Sequence, residues 1–359
     1  MENKKKEALL FASASANVYN FLGINDTKSH MSIYKDSISN NLKAHEDIRS
    51  FQVEKLKIID PNLILNNLSS RPYIFVSFHT GSYNLLPSWL LKSGHEFYLM
   101  ADTDSLDIKE YSSSMKSIYR EKYHTEGDFK MINVEEEGAI FRIIRKIKDK
   151  KITLAFLDGN KGIGGQVKDN KNLMEVDFLQ GRVKVRKGLA YMAFLTNTPL
   201  VLALNYFKDG QRYLKIYDPI EIIETDRKAY CKRAINQIFE YFEEHVRTYP
   251  GQWSNWPYVH RWSNIKHFEE QLSSGHPIST NTIHQRDWKF NKDRFCPLKV
   301  KDDHYLFDRI KYHLTSVSPN LMPLFSRKTK VDQQKEIIEN MIINNSSTVE
   351  KLIANKVLI

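Results

Sequence analysis

The sequence predicts an α/β fold in which a central, mainly parallel or mixed sheet carries helices on both faces, followed by a small α+β C-terminal domain. Three observations lead there. Short apolar runs with the look of buried strands recur at Tyr73–Phe78, Ile152–Leu157 and Pro199–Leu204. Stretches with helical spacing alternate with them. Beyond the polar stretch Ser273–Thr282 the rhythm changes and the tail turns basic.

Residues 1–65 are polar, show no clear strand, and read as a helical preface. The start, MENKKKEALLFASASANVYNFLGI, resembles a signal peptide in outline, but Ser13, Ser15, Asn17 and Asn20 interrupt its apolar stretch. No run of ~20 apolar residues comes after it. An amphipathic helix with a lysine head is expected, either packing on the protein or touching a membrane surface.

An α/β core is expected over residues 66–272. The run Tyr73–Phe78 stops at His79-Thr80-Gly81-Ser82, where Gly81 permits a tight turn and Ser82 is the expected N-cap of a helix through Leu91. His95–Met100 reads as the next strand. Gly138–Lys148 reads as an amphipathic helix, with Ile140, Ile143, Ile144 and Ile147 on one face. The strand Ile152–Leu157 ends on Asp158 and is followed by the glycine-rich loop Gly159–Gly165. Val176–Leu179, a helix over Leu189–Leu195, strands at Pro199–Leu204 and Tyr213–Tyr217, and a long helix over Asp226–Tyr249 complete the core. Residues 273–284 read as a linker. Residues 285–359 carry a net charge of about +5 and read as a strand or two at Tyr305–Leu314 followed by short helices.

Fifty-three Lys and Arg against 43 Asp and Glu leave a net charge of +10 over 359 residues. That excess favours an anionic partner and says nothing of the fold. Cys231 and Cys296 are too few for a disulfide framework, so a reducing cytoplasm is the expected compartment. The loop Gly159–Gly165 lacks both the phosphate-loop and the dinucleotide fingerprints, which argues against an NTPase or a dinucleotide enzyme and leaves a surface or lid loop. Twelve scattered histidines, no H-E-x-x-H and no paired cysteines point away from a metal site. The basic residues form no single run and match no nucleic-acid motif, so nucleic acid is disfavoured as a partner.

His79 comes directly after a buried strand, and in open α/β sheets sites gather at the carboxyl ends of strands. A histidine there suits a general base, or a loop histidine bonded to backbone. Asp158 ends another strand, as a catalytic carboxylate or a loop cap. Arg182, Lys184, Arg186 and Lys187 precede a helix, a setting for phosphate or an acidic protein face, or else a solvated strand edge.

Together these pieces resemble the late lipid A biosynthesis acyltransferase family of the glycerolipid acyltransferase superfamily. The resemblance runs over roughly residues 65–265 and rests on six segments in order. They are Phe78–Asn84, Leu157–Asn160, Val176–Gly181, Lys187–Ala190, Thr196–Val201, and a tryptophan-rich ending at Pro250–Trp256 with His260-Arg261-Trp262. It implies acyl transfer to a hydroxyl or amine from a thioester on acyl carrier protein or coenzyme A. No bound cofactor is implied, because the thioester is a co-substrate.

The family pairs its histidine base with a carboxylate in H-x4-D/E. His79 falls on the base and Asn84 on the carboxylate, which is the main departure. An Asn can orient an imidazole but cannot stabilise the imidazolium formed in the reaction. Asp158 from a neighbouring strand end is one replacement, an amine acceptor needing less help is a second answer, and acyl binding without turnover is a third. The resemblance further implies Gly81, Ser82, Arg182, Lys184, Arg186, Lys187 and Arg261 as substrate-binding residues. Backbone N–H groups at Ser82 or a cation from Arg182–Lys187 would meet the oxyanion.

The tail's layout, a strand pair, then Leu321–Phe325, Gln333–Ile343 and Val349–Ile359, resembles small winged-helix peptide-binding modules of peptide-modifying enzymes. That implies a peptide or carrier-tethered acceptor in natural-product assembly. A lipid A-like or lysophospholipid acceptor at a membrane surface is the alternative, and a helical appendage packing on the core is the plain reading of the tail.

Overall fold

The computed structural model describes residues 2–101, 109–158, 172–273, 288–300, 302–326 and 329–359. The glycine-rich loop Gly159–Gly165 and nearly all of the expected linker lie outside them. Contacts divide the chain into two compact units, Met31–Ser263 and a second made of Met1–His30 with Asn264–Ile359.

In chain order the first elements are α1 (Glu2–Leu22), α2 (Thr27–Arg49), β1 (Lys57–Ile59), β2 (Ile74–Ser77), α3 (Leu85–Lys92) and β3 (Glu96–Ala101). Then come α4 (Lys109–Tyr123), β4 (Asp128–Asn133), α5 (Ala139–Lys148), β5 (Ile152–Phe156), β6 (Leu173–Phe178) and β7 (Gly181–Arg186). The larger unit closes with α6 (Gly188–Thr196), β8 (Leu200–Lys208), β9 (Gln211–Ile216) and α7 (Arg227–Thr248).

Its seven-stranded sheet runs β1-β9-β8-β2-β5-β3-β4. The strands β8, β2, β5, β3 and β4 are mutually parallel; β9 is antiparallel to β8, and β1 is parallel to β9. The sheet is therefore mixed, within an α/β architecture. All four residues of β2 are buried, as a strand covered on both faces requires. On one face Phe75, Phe97, Leu154 and Val201 pack with Leu86 and Leu90 of α3 and Tyr119 of α4. Elsewhere α5 packs on β4 and β5 through buried Ile143 and Ile147, and α6 packs against α7. Ile140 stays 52% exposed, so only part of the expected isoleucine face is core.

Two expectations for this unit change. The preface contains a strand, β1, whose three exposed residues carry no apolar alternation to betray it. The four cations do precede a helix, with Lys187 at the N-cap of α6, but Arg182, Lys184 and Arg186 belong to a strand, the alternative reading. Strands β6 and β7 form an antiparallel hairpin, and the alternation of β7 buries Val183 and Val185 while exposing Arg182 and Arg186.

The smaller unit contains α8 (Ile265–Ser273), β10 (Phe295–Val300), β11 (Asp303–Asp308), β12 (His313–Ser316), α9 (Met322–Phe325), α10 (Val331–Asn344) and α11 (Ser346–Ala354). Three antiparallel strands, β10-β11-β12, replace the expected pair. Pro297 hid the first of them; proline is tolerated in β10 because that strand is an edge. Trp288, Phe290, Leu324, Phe325, Ile338 and Val349 form its core. Helix α1 also belongs here, with Ala12 and Ala16 against Phe307. Of the polar residues that interrupt its apolar stretch, Asn17 accepts from the Tyr312 hydroxyl at 2.6 Å, and Asn20 donates to the Arg309 carbonyl at 3.1 Å. Among the described residues no helix is long and apolar enough to cross a membrane.

Candidate active site

Strands β2 and β5 are parallel neighbours with Ser77 opposite Phe156, so their carboxyl ends leave the sheet side by side. Two residues further on stand His79 and Asp158. His79 Nδ1 lies 2.8 Å from Asp158 Oδ1, and the His79 backbone N–H reaches both carboxylate oxygens at 3.0 and 3.2 Å. Trp253 Nε1 donates to Oδ2 at 2.8 Å, and Asn255 Nδ2 donates to the Asp158 carbonyl at 2.9 Å.

The Asp158 side chain is 0% exposed and that of His79 is 27% exposed. Burial pushes the Asp158 carboxyl up, but the His79 charge and the hydrogen bonds from His79 and Trp253 outweigh it. Its pKa therefore stands below the ordinary value. An ionised carboxylate only accepts hydrogen bonds, so Nδ1 carries a proton, and in the neutral imidazole Nε2 is the nitrogen with the lone pair. Nε2 makes no hydrogen bond among the described residues.

The imidazole is held on its faces and through its backbone. Phe156 stacks on it at 4.7 Å between centroids, and Tyr83 meets it edge-on at 4.8 Å. The His79 carbonyl accepts from Ser254 N at 3.0 Å and Ser254 Oγ at 3.1 Å. One residue on, Thr80 Oγ1 lies 2.9 Å from Nε2 of buried His245, whose pKa burial and then Lys215 push down to about 3. Gly81 donates to the Gln252 carbonyl at 3.0 Å and has a φ of +54°. A Cβ there would come within 2.7 Å of the Asn205 carbonyl oxygen, so both backbone conformation and close approach require glycine.

His79 opens on a cavity of about 1560 Å³. Ordinary small-molecule sites occupy roughly 300–1000 Å³, so this one has room for a large ligand or for two. Phe97, Leu99, Phe129, Ile143 and Leu189 line it, with five of the nine methionines: Met100, Met115, Met131, Met174 and Met192. Flexible thioethers suit a wall that fits a floppy apolar guest. His45 also lines it, 3.2 Å from the Tyr83 hydroxyl, and burial followed by the charges of His79 and Arg49 lowers its pKa.

Arg186 and Lys187, just before α6, line the same cavity, as do Arg227, Lys228 and Lys232 from the first turns of α7. Arg227 lies over the Tyr191 ring at 4.5 Å, which ties the two groups together. With Arg49 these six cations face two lining carboxylates, Glu135 and Glu175. Among the described residues the lining is therefore largely apolar with an excess of positive charge.

The structure brings His79, Asp158, Asn84, Arg186 and Lys187 to one place and leaves the other candidates elsewhere. Asn84 lines the cavity, but its Nδ2 donates to the Ala44 carbonyl at 3.2 Å and it makes no hydrogen bond to His79. It therefore does not orient the imidazole; Asp158 holds that position. Ser82 does not cap α3, which begins at Leu85 with Asn84 as its uncapped N-cap. Its hydroxyl instead donates to Asp47, a buried carboxylate that also receives Arg212 at 2.6 and 2.7 Å. Gly81 and Ser82 thus serve the framework and do not line the cavity. Arg182 pairs with Asp177 at 3.0 Å on the exposed face of the hairpin, and Lys184 is not a cavity residue. Arg261 lies over the Tyr258 ring at 5.0 Å, also outside the cavity.

Sequence reasoning assigned no role to Trp253, Asn255, Arg227, Lys228 or Lys232. A signal for the last pair existed: Lys228 and Lys232 are four apart on a helix and share a face. Among the described residues no group of three or more His, Cys, Asp or Glu is placed to hold a metal ion.

No protein-family model matches the chain, and no curated protein matches it. Among solved structures it is similar to the 1-acyl-sn-glycerophosphate (LPA) acyltransferase PlsC from Thermotoga maritima. The TM-score is 0.32 at 13% identity, over 67% of this chain and 96% of that one.

Proposed function

We propose that the chain is an acyltransferase that moves a fatty acyl group from an acyl carrier protein or coenzyme A thioester to an amine or hydroxyl of a soluble acceptor. The observation that carries this reading is His79, its Nδ1 held by buried Asp158 and its Nε2 open on a large, methionine-lined cavity. In the reaction, Nε2 takes the proton of the acceptor hydroxyl or amine as that atom attacks the thioester carbonyl carbon. Asp158 stabilises the imidazolium. The tetrahedral oxyanion collapses, the C–S bond breaks, and the thiolate leaves with the proton that Nε2 returns. Arg186 and Lys187 supply positive charge for the oxyanion or the donor's phosphate, and the apolar wall takes the acyl chain.

The proposed acceptor is a peptide or a carrier-tethered intermediate of natural-product assembly. Its support is the three-strand, three-helix layout of the described residues from 288 to 359, among which β12 pairs on one side only and leaves an edge for an extended peptide. A cytoplasmic setting is part of the proposal and accords with two free cysteines. The test is intact-mass spectrometry of acceptors after incubation with acyl-carrier or acyl-CoA thioesters. A gain of one acyl group that needs His79 supports the reading. Thioester binding without consumption, with every acceptor, would leave an acyl-binding protein.

A specific observation favours a second reading, a peripheral-membrane enzyme with a lipid acceptor. Phe141 is 78% exposed beside exposed Ile140 on α5, whose other residues include Arg142, Arg145, Lys146 and Lys148. A basic helix with bare apolar side chains suits an anionic bilayer surface. Ile140 also lines the cavity, which would open it toward lipid. Co-sedimentation with anionic vesicles, lost in Phe141→Asp, would favour it over the soluble acceptor.

A further inference from the structure

The rings of His79, Tyr83 and Phe156 each touch the other two. Phe156 stacks on the imidazole at 4.7 Å, Tyr83 meets the imidazole edge-on at 4.8 Å, and Tyr83 meets Phe156 edge-on at 5.7 Å. Asp158 holds Nδ1 at 2.8 Å, but a ring pinned at one atom can still pivot about it. Tyr83 supplies the further hold against that pivot.

Tyr83 is itself fixed from α2. It is buried, and its hydroxyl donates to Asn41 Oδ1 at 3.1 Å. A hydroxyl has a single hydrogen to give, so His45 Nε2, 3.2 Å from the same oxygen, is the donor in the second contact. Neutral His45 is therefore the Nε2–H tautomer, opposite to the Nδ1–H form that Asp158 imposes on neutral His79. Burial, then the charges of His79 and Arg49, lower the His45 pKa and favour that neutral form.

The residues on either side of Tyr83 meet the same helix. Ser82 Oγ donates to Asp47, which Arg212 of β9 also holds, and Asn84 Nδ2 donates to the Ala44 carbonyl at 3.2 Å. Three successive residues of the turn are thus tied to α2. Of these ties, the one through Tyr83 ends on the imidazole itself.

We propose that Tyr83 and His45 are positioning residues for His79: His45 and Asn41 fix the Tyr83 hydroxyl, and the Tyr83 ring keeps the imidazole aimed at the cavity. The proposal rests on the acyl-transfer reading of His79 and deepens it. A general base must keep one orientation in both of its protonation states, and a small displacement of a reacting group costs a large factor in rate.

The test combines steady-state kinetics with nitrogen NMR of the imidazoles, on the full chain. In wild type, His45 should appear as the Nε2–H tautomer and His79 as the Nδ1–H tautomer. Tyr83→Phe keeps the ring and removes the hydroxyl; it should lower kcat about tenfold, leave the thioester KM within about twofold, and broaden the His79 signals into a mixture of tautomers. His45→Ala should do the same. His45→Gln, whose amide can donate to the Tyr83 oxygen, should recover most of the loss. The double variant Tyr83→Phe with His45→Ala should be no slower than Tyr83→Phe, because both changes act through one contact.

A Tyr83→Phe protein with wild-type kcat and unchanged His79 signals overturns the proposal. So does a double variant whose losses multiply, or a His45→Gln protein no faster than His45→Ala. If wild type transfers no acyl group to any acceptor, the acyl-transfer reading fails and the NMR signals decide the positioning role by themselves. His79 signals unchanged in Tyr83→Phe and His45→Ala then overturn it, and broadened signals in both support it.

Discussion

His79 and Asp158 stand the same two residues beyond Ser77 and Phe156, which face each other in the ladder between β2 and β5. The register of two parallel strands therefore sets the 2.8 Å contact between imidazole and carboxylate. Removing either partner should be severe. His79→Ala should lower acyl transfer by about 10²–10⁴, and Asp158→Asn by about 10⁴, as in a serine-protease triad that loses its orienting carboxylate. Steady-state kinetics with a thioester donor checks both, and an unimpaired Asp158→Asn enzyme would remove Asp158 from the mechanism.

Trp253 acts through Asp158. Trp253→Phe keeps an aromatic ring against Phe178 and Phe242 but deletes the donor to Oδ2. Without that hydrogen bond the Asp158 pKa should rise, moving the acid limb of the kcat profile to higher pH. The lost charged hydrogen bond and the smaller ring should together cost about 2–4 kcal/mol of stability. A pH profile unchanged from wild type would mean that the indole serves packing alone.

Gly81→Ala tests the turn that carries His79. The left-handed conformation alone disfavours alanine by about 1–2 kcal/mol, and the Cβ would collide with the Asn205 carbonyl. A loss of at least about 2 kcal/mol in denaturant unfolding is expected, with kcat falling further than KM rises because the imidazole is displaced.

The cations that line the cavity should act on donor binding. Lys228→Glu with Lys232→Glu should raise KM for a carrier-protein or coenzyme A donor while leaving kcat nearly unchanged. In wild type the same KM should climb with salt. A donor KM indifferent to both would place the phosphate elsewhere.

His245 should make stability depend on pH. Its folded pKa, about 3, lies below the ordinary value of 6.5. Between those values the unfolded chain binds the extra proton, so stability falls as pH drops from 6.5 toward 3. His245→Gln keeps a polar partner for Thr80, and its melting temperature should fall less steeply across that window than wild type.

Much of the fold was legible because strands such as Ile74–Ser77 and Ile152–Phe156 are short apolar runs, and the polar residues at their ends stand out. His79 and Asp158 were each visible as strand-end residues. Their pairing was legible only as one of three answers to the missing carboxylate, because it depends on the strand order that sets β5 beside β2. Asn84 misled for the same reason: spacing along the chain put it near the histidine, while the turn at residues 81–84 points its amide to Ala44. The alternation Arg182-Val183-Lys184-Val185-Arg186 did carry the signature of a half-buried strand. The helix that begins at Gly188 directly behind it drew the reading toward a helix entrance, and the segment is both a strand and the approach to α6.

The ties between α1 and Asn264–Ile359 were invisible for a different reason. Asn17 meets Tyr312, and Asn20 meets Arg309, across nearly the whole chain, and no local pattern encodes such distances. This arrangement bears on how the protein is made. Residues Met31–Ser263 form one continuous stretch and can close their contacts as they leave the ribosome. Helix α1, synthesised before Met31–Ser263, must wait for residues near 307–312 before Ala12, Ala16, Asn17 and Asn20 find their neighbours. A nascent chain thus carries α1 without these neighbours while Met31–Ser263 is made. Removing either Glu2–Leu22 or Ser346–Ala354 should damage the same unit.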